Sequence, residues 1–406
     1  MTVATVEAIR ADFPALRRSE GGHAVAYFDG PGGTQVPQPV VDAMADYLLC
    51  HNANTHWEYP TSAETDAALL DAREVFAAFV GGAADEISFG NNMTTIAFHV
   101  ARALARDWNP GDEVIVTELD HHGNVAPWQA IARDRGVVLR WLPLDMATGE
   151  LRLDRLPQLL GPRTRLLAIN AASNILGTVS DVARAAKLAH DAGALVFVDG
   201  VHYAPHRLTD VSALGADFFA ASAYKFHGPH IGVLWARRDL VERLDVPRLE
   251  PAPDTSPERM ETGTQNHEGI VGAARAVRWL AGLAGDGNLR SQLATTYAEI
   301  HRREMALFAT LWDGLGAIDG VTRFGPPATG SRTATVSFSV RGIDSEQVAR
   351  TLARGGCYVS HGDFYASTVA HLAGFERAGL VRLGAACYTT GEEIDRVLTG
   401  ICKLAR

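Results

Sequence analysis

An α/β protein is predicted by three features of the sequence. Strand-like apolar runs alternate with helix-periodic segments from about residue 65 to 240, unusual polar residues follow several of those runs, and the order of elements changes after about residue 270. Runs such as "EVIVTE", "ALVFVDG" and "ADFFAAS" are apolar without strict alternation, as central strands covered by helices on both faces are. The alternation predicts a large domain with a mostly parallel sheet between helices. The later order predicts a small α+β domain at the C-terminus.

The elements follow in chain order. "MTVATVEAIRADFPAL" reads as an amphipathic helix rather than a signal peptide. "ETDAALLDAREVFAAFVG" keeps helical spacing and stops at Gly81. The helix "TIAFHVARALARDW", the strand "EVIVTE" and the helix "VAPWQAIARDRG" come next, then the strands "VVLRWLPL" and "TRLLAINAAS". The helix "DVARAAKLAHDAG" leads to "ALVFVDG", "ADFFAAS" and "GVLWAR". Residues 241–265, rich in proline and charge, read as a surface loop, and 269–315 as one long helical stretch. "TATVSFSV", the helix "DSEQVARTLARG", "CYVSH", "LVRLGAA" and a final helix from about residue 390 complete the chain.

Composition excludes several function classes. Among 406 residues, 47% are hydrophobic and 21% charged, with a net charge of −10; these values suit a globular protein with a sizeable core and give no basic groove for nucleic acid. Cys50, Cys357, Cys387 and Cys402 are scattered, with neither disulfide nor zinc spacing, so no metal is expected and a reducing cytoplasm fits. No apolar run reaches the ~18 residues of a membrane span.

The candidate chemistry lies at the carboxyl ends of the strands, where open α/β sheets form their sites. "EVIVTE" runs into Asp120, His121 and His122; "TRLLAINAAS" into Asn174; "ALVFVDG" ends at Asp199, with His202 beyond; "ADFFAAS" ends at Ser222, three residues before Lys225. Singly, each has an ordinary reading: a turn or helix cap for the acid, a surface position for the histidine, a solvated lysine. Together they match the needs of pyridoxal 5′-phosphate (PLP): an amine, an acid facing the pyridine nitrogen, and a phosphate cradle. Asp199 lies 26 residues before Lys225, with one strand between them, so both can approach one ring from adjacent strands. "GNNMTTIAFHV" offers a loop entering a helix, whose N–H groups and dipole face an anion, with hydroxyls from Thr94, Thr95 and Ser222.

These residues carry a family resemblance. "YFDGPGGTQVPQPVVDAM", "NANTHW", "TELDHHGNVAPWQ", "ASNILGT", "VDGVHYAPH", "SAYKFHGP" and "ETGTQNHEGIVGA" occur in that order. The chain thereby resembles the class V aminotransferase group of fold-type I PLP enzymes, and within it the cysteine desulfurase and selenocysteine lyase branch. The resemblance implies a seven-stranded-type sheet in a large PLP-binding domain at 31–270, a long helix and small C-terminal domain at 271–406, and an N-terminal segment at 1–30 packed with the small domain. It implies that Lys225 holds PLP and acts in catalysis, that His121 stacks on the ring, and that Asp199 pairs with the pyridine nitrogen. It gives the ring hydroxyl to Asn174 and His202, the phosphate to Thr94, Thr95 and Ser222, and the substrate carboxylate to Arg382 with Asn174. An arginine suits that task because its fork binds carboxylate bidentately; the alternative is a surface strand arginine. A homodimer with shared active sites is also implied, acting on a small amino-acid substrate.

Three positions depart from the pattern. His202 stands where desulfurases carry a glutamine. His267, in "TQNHEG", falls where a residue reaching the partner chain's phosphate is expected. In "CYVSHGDFYAST", aligned on Gly362, Tyr365 takes the position of the nucleophilic cysteine and Ser360 that of an arginine. Cys357, eight residues upstream of Tyr365, reads as a buried small apolar residue. Persulfide transfer needs a thiolate, and a phenol cannot carry a transferable sulfur. The expectation is therefore a PLP-dependent lyase acting by β-elimination on a C–S or related bond, without persulfide chemistry. The alternatives are an aminotransferase or epimerase of the same group, and a non-catalytic scaffold. His361, Asp363 and Tyr365 either line the substrate entrance or simply face solvent.

Overall fold

A computed structural model describes residues 2–406. Its main sheet has seven strands: β1 (Ile87–Gly90), β2 (Glu113–Thr117), β3 (Val138–Leu142), β4 (Thr164–Asn170), β5 (Leu195–Asp199), β6 (Phe218–Ser222) and β7 (Gly232–Ala236), in the spatial order β1-β7-β6-β5-β4-β2-β3. Only β7 runs against the others. Every residue of β2, β6 and β7 is buried, which is why these strands read as continuous apolar runs. Two hydrophobic clusters lie against the sheet, one containing Phe76, Phe79 and Phe219, the other Trp128, Phe197 and Phe218.

A second sheet contains β8 (Val321–Phe324), β9 (Thr335–Val340), β10 (Ser360–Gly362) and β11 (Leu380–Gly384), all antiparallel in the order β8-β9-β11-β10. Its core includes Phe308, Phe338 and Leu383. The predicted α/β architecture with a small α+β unit is the one observed.

Local differences have local causes. The stretch read as one helix over 269–315 is two helices, His267–Gly282 and Leu289–Gly316. Gly285 and Gly287 between them adopt positive φ, and the Asn288 side chain caps the second helix by accepting the Ser291 N–H at 2.9 Å. "CYVSH" is divided: Cys357–Tyr358 pairs with Ala26–Tyr27, whereas Ser360–Gly362 joins the second sheet. The proline-rich 241–265 is more tied down than a surface loop, because Glu261 takes a two-pronged bond from Arg73 at 2.9 and 3.0 Å. The N-terminal segment divides its packing: Ile9, Phe13 and Leu16 join the core of the large sheet, Ala26 and Phe28 that of the small one. Among the described residues no helix is long and apolar enough to cross a membrane.

Candidate active site

A cavity of about 1120 Å³ opens at the carboxyl ends of the main-sheet strands. Thr94, Thr95, His121, Asn174, Asp199, His202, Ser222, Lys225, His361, Tyr365 and Arg382 all line it. Sheet register brings the central groups together. Asp199 ends β5 opposite Ala220 of β6, and β6 ends at Ser222, from which one turn of 3-10 helix leads to Lys225.

Lys225 is buried rather than solvated, and its Nζ donates to the Pro31 carbonyl. Burial, helped by the nearby Arg382 cation, lowers its pKa to about 7 against the pull of Asp199 and Asp29. Asp199 is equally buried. One carboxylate oxygen accepts the Val201 N–H at 2.9 Å, and burial raises its pKa to about 7. Its other oxygen has no bond within the chain, which fits a protonated ring nitrogen.

The turn after β2 presents His121. Asp120 anchors it, accepting the Thr117 hydroxyl at 2.5 Å and the Asn124 amide at 2.9 Å. His121 Nδ1 accepts the Gly123 N–H at 2.9 Å, so the neutral ring carries its proton on Nε2. Burial, then the charges of Lys225, His122 and Arg382, brings its pKa down to about 4. The ring is therefore uncharged at neutral pH and suited to stacking.

The helix Met93–Leu104 points its N-terminus into the cavity. Asn92 caps it by accepting the Thr95 N–H at 2.9 Å, and the Thr95 hydroxyl also donates to Asn92. Ser222 Oγ accepts the Met93 N–H at 3.0 Å. The Thr94 N–H remains free for an anion. Amine, ring-facing acid, neutral imidazole and helix N-terminus together fit PLP.

Arg382, on β11, is buried and not a surface arginine. Its Nη1 donates to the Asn174 carbonyl at 3.0 Å, and its Nε has no partner. Burial lowers its pKa to about 9, which leaves it cationic at neutral pH. Asn174 Nδ2 donates to the Phe364 carbonyl at 3.0 Å, while its Oδ1 is unpartnered. His202 Nε2 sits 3.2 and 3.1 Å from the Thr333 and Thr335 hydroxyls, and its Nδ1 has no partner. Burial holds this ring well below the usual imidazole pKa.

His361, Asp363 and Tyr365 both line the mouth and face solvent. Phe364 and Tyr365 adopt positive φ, each +56°, a conformation that costs non-glycine residues and gathers at functional sites. The His122 N–H donates to the Tyr365 carbonyl at 2.7 Å, and the Tyr365 ring lies 5.5 Å from that of His121.

His267 is the one predicted position that does not line this cavity. It begins the helix His267–Gly282, is buried, and its Nδ1 lies 3.2 Å from the Tyr47 hydroxyl. Reaching a phosphate in another chain would require it to leave that packing.

Sequence reasoning missed several lining residues. Asn92 had a signal, as an amide just before a helical repeat. Tyr224 and His230, stacked with centroids 4.9 Å apart, and Phe364, over Arg382, had none.

The family model for class V aminotransferases matches residues 26–397. A protein named probable cysteine desulfurase 2 from Mycobacterium leprae is 33% identical over 425 residues, covering 99% of this chain and 97% of its own. A cysteine desulfurase from Klebsiella pneumoniae is 34% identical over 418 residues, with 99% and 98% covered. The apo cysteine desulfurase of Thermococcus onnurineus NA1 superimposes with a TM-score of 0.89 at 28% identity, over 100% of this chain and 98% of that one. With fold, site and relatives in agreement, the chain belongs to the class V aminotransferase family of fold-type I enzymes and is a PLP-dependent enzyme.

Proposed function

We propose that this enzyme is a lyase that eliminates a group from the β-carbon of an α-amino acid, cleaving a C–S or related bond without a protein persulfide. One observation carries the reading. Tyr365 stands at the mouth beside His121, and none of the four cysteines lines the cavity. Cys357 and Cys387 are buried; burial raises the pKa of both thiols, which disfavours the thiolate that sulfur transfer needs.

When bound, PLP supplies the electron sink that makes the α-hydrogen acidic and drives out the β-substituent. The chain's residues divide the remaining work. Lys225 would hold the cofactor through its amine and, once freed, serve as the base that takes the α-proton. Asp199 would keep the pyridine nitrogen protonated, His121 would stack on the ring, and Asn174 and His202 would bond the ring hydroxyl. Thr94, Thr95 and Ser222 would hold the phosphate, with His267 a further candidate across a dimer. Arg382, whose Nη1 is tied to the Asn174 carbonyl, grips the α-carboxylate. His361 and Tyr365 contact the substrate side chain and supply a proton to the leaving group. The products are the protonated leaving group and aminoacrylate, which hydrolyses to pyruvate and ammonia.

Two chains complete the sites of this proposed homodimer. Leu49, Trp57 and Tyr59 are 84%, 61% and 47% exposed in one chain, an apolar surface of the kind a second copy covers.

The test is a screen of amino acids that carry a β-substituent. Equal pyruvate and ammonia support elimination. A pyridoxamine spectrum would instead make the enzyme an aminotransferase, and inversion at the α-carbon an epimerase.

A further inference from the structure

A second, smaller cavity has a volume of about 10 Å³, room for about one water molecule. Lys225 is a wall residue of both this cavity and the active-site cavity. Glu304 and Cys387, in the wall of the small cavity, are shared with an outer cleft of about 900 Å³, which Arg10, Arg303, Arg396 and Glu393 also line.

The polar groups around the small cavity are not all free. His227 Nδ1 lies 3.1 Å from the Gln35 carbonyl, and its Nε2 is 3.4 Å from the Cys387 sulfur, so these two side chains satisfy each other. The remaining pair is His206 and Glu304. His206 Nδ1 is 2.8 Å from Glu304 Oε2, and the two residues are only 5% and 3% exposed. The second carboxylate oxygen of Glu304 has no hydrogen-bond partner within the chain, and Glu304 lines both cavity and cleft. Burying such a pair is costly and rarely justified by stability alone. The row continues inward, since the His206 and His202 rings lie 5.0 Å apart, and His202 lines the active-site cavity.

We propose that Glu304, positioned by His206, is the proton exit of Lys225: a rear relay that exchanges the lysine's proton with solvent while substrate fills the front. This rests on the reading of Lys225 as the base. The balance is simple. The lysine amine takes the α-hydrogen as a proton and becomes ammonium. It passes a proton to the cavity water, which gives one of its own to the Glu304 carboxylate. Glu304 releases that proton into the outer cleft. No electrons change hands, and water is the only other participant.

The test uses holoenzyme and L-alanine, which has no β leaving group, so only α-hydrogen exchange is followed. In Glu304→Gln, exchange in D2O is expected to slow by about tenfold or more, in the range of a lost positioned proton carrier. The expressed isotope effect, read as α-deuterium against α-tritium washout into H2O, should also fall toward one, because proton exit and not C–H cleavage then limits. Ile300→Phe, which fills the cavity and keeps Glu304, should reproduce both changes and covers the case in which Glu304→Gln does not fold. A crystal of the cofactor-free protein should show a water between Glu304 and Lys225. Wild-type exchange in either folded variant, slowing with an unchanged isotope effect, or a dry cavity would each overturn the relay. Exchange that persists in Lys225→Ala would overturn the base assignment, and the relay with it. Exchange lost in Lys225→Ala but kept in Glu304→Gln would overturn the relay alone.

Discussion

The Phe364 ring centroid lies 4.0 Å from the guanidinium carbon of Arg382, while the Phe364 carbonyl accepts the Asn174 amide at 3.0 Å. The loop at the mouth of the site is thus built against the residue proposed to hold the substrate carboxylate. Arg382→Ala should leave PLP attached but weaken α-carboxylate substrates by about 3–5 kcal/mol, more than ~100-fold, because the carboxylate loses its buried partner. Phe364→Ala should raise KM by about 5- to 30-fold, the worth of ~1–2 kcal/mol of cation–π contact. Steady-state kinetics on several amino acids checks both, and an unchanged KM in Arg382→Ala would assign the carboxylate to another residue.

Lys225 should make the purified protein yellow, and Lys225→Ala should abolish the adduct trapped by borohydride. A label that survives the substitution contradicts the assignment. With its pKa near 7, the lysine of cofactor-free protein should capture PLP at a rate that is half-maximal near pH 7 and level above it. An ordinary lysine would gain rate up to about pH 10.4.

The same shifts set a pH dependence of stability in the cofactor-free protein. Asp199, raised to about 7, contributes stability that is present below about pH 4 and lost as pH rises toward 7. Lys225, lowered to about 7, contributes stability that is present above about pH 10 and lost as pH falls toward 7. Urea midpoints should therefore rise from pH 7 to 9 in wild type more than in Lys225→Met. Identical slopes would place the lysine amine in water.

Gly123→Ala tests the turn that holds His121. A Cβ there would stand 2.7 Å from Thr94 Oγ1 and 2.9 Å from His121 Nδ1. It must displace the proposed phosphate hydroxyl or the stacking ring. Weaker PLP retention on dialysis, with an unchanged circular-dichroism spectrum, is the expected outcome, and full retention would show that neither contact matters to the cofactor.

How much of this was legible in the sequence depended on range. Strand-end residues such as Asp199 and Ser222 could be brought together because alternating apolar runs imply one sheet edge. The reversed direction of β7 was not legible, since "GVLWAR" is buried on both faces and carries no sign of orientation. The break in the 269–315 stretch falls at Gly285 and Gly287, both at positive φ, between two segments that each keep helical periodicity. Pairs far apart in sequence stayed hidden: Phe364 over Arg382, and His206 against Glu304, 98 residues away. His267 shows the opposite limit, a position suggested by motif order whose side chain is packed against Tyr47 within its own chain.

The homodimer has its own test. If the proposed dimer forms, Leu49→Asp should shift it toward monomer in light scattering at micromolar concentration, with activity falling in step, because a charge would enter an apolar contact. A fully active wild-type monomer would remove the proposal of shared sites.

The absence of persulfide chemistry is tested most directly by incubating the holoenzyme with cysteine, measuring the three-carbon product and mapping persulfides by mass spectrometry. Elimination predicts sulfide matched by pyruvate, no persulfide on any cysteine, and no change in Cys357→Ala. Alanine as the product, with a persulfide on Cys357 and both lost in Cys357→Ala, would contradict the account.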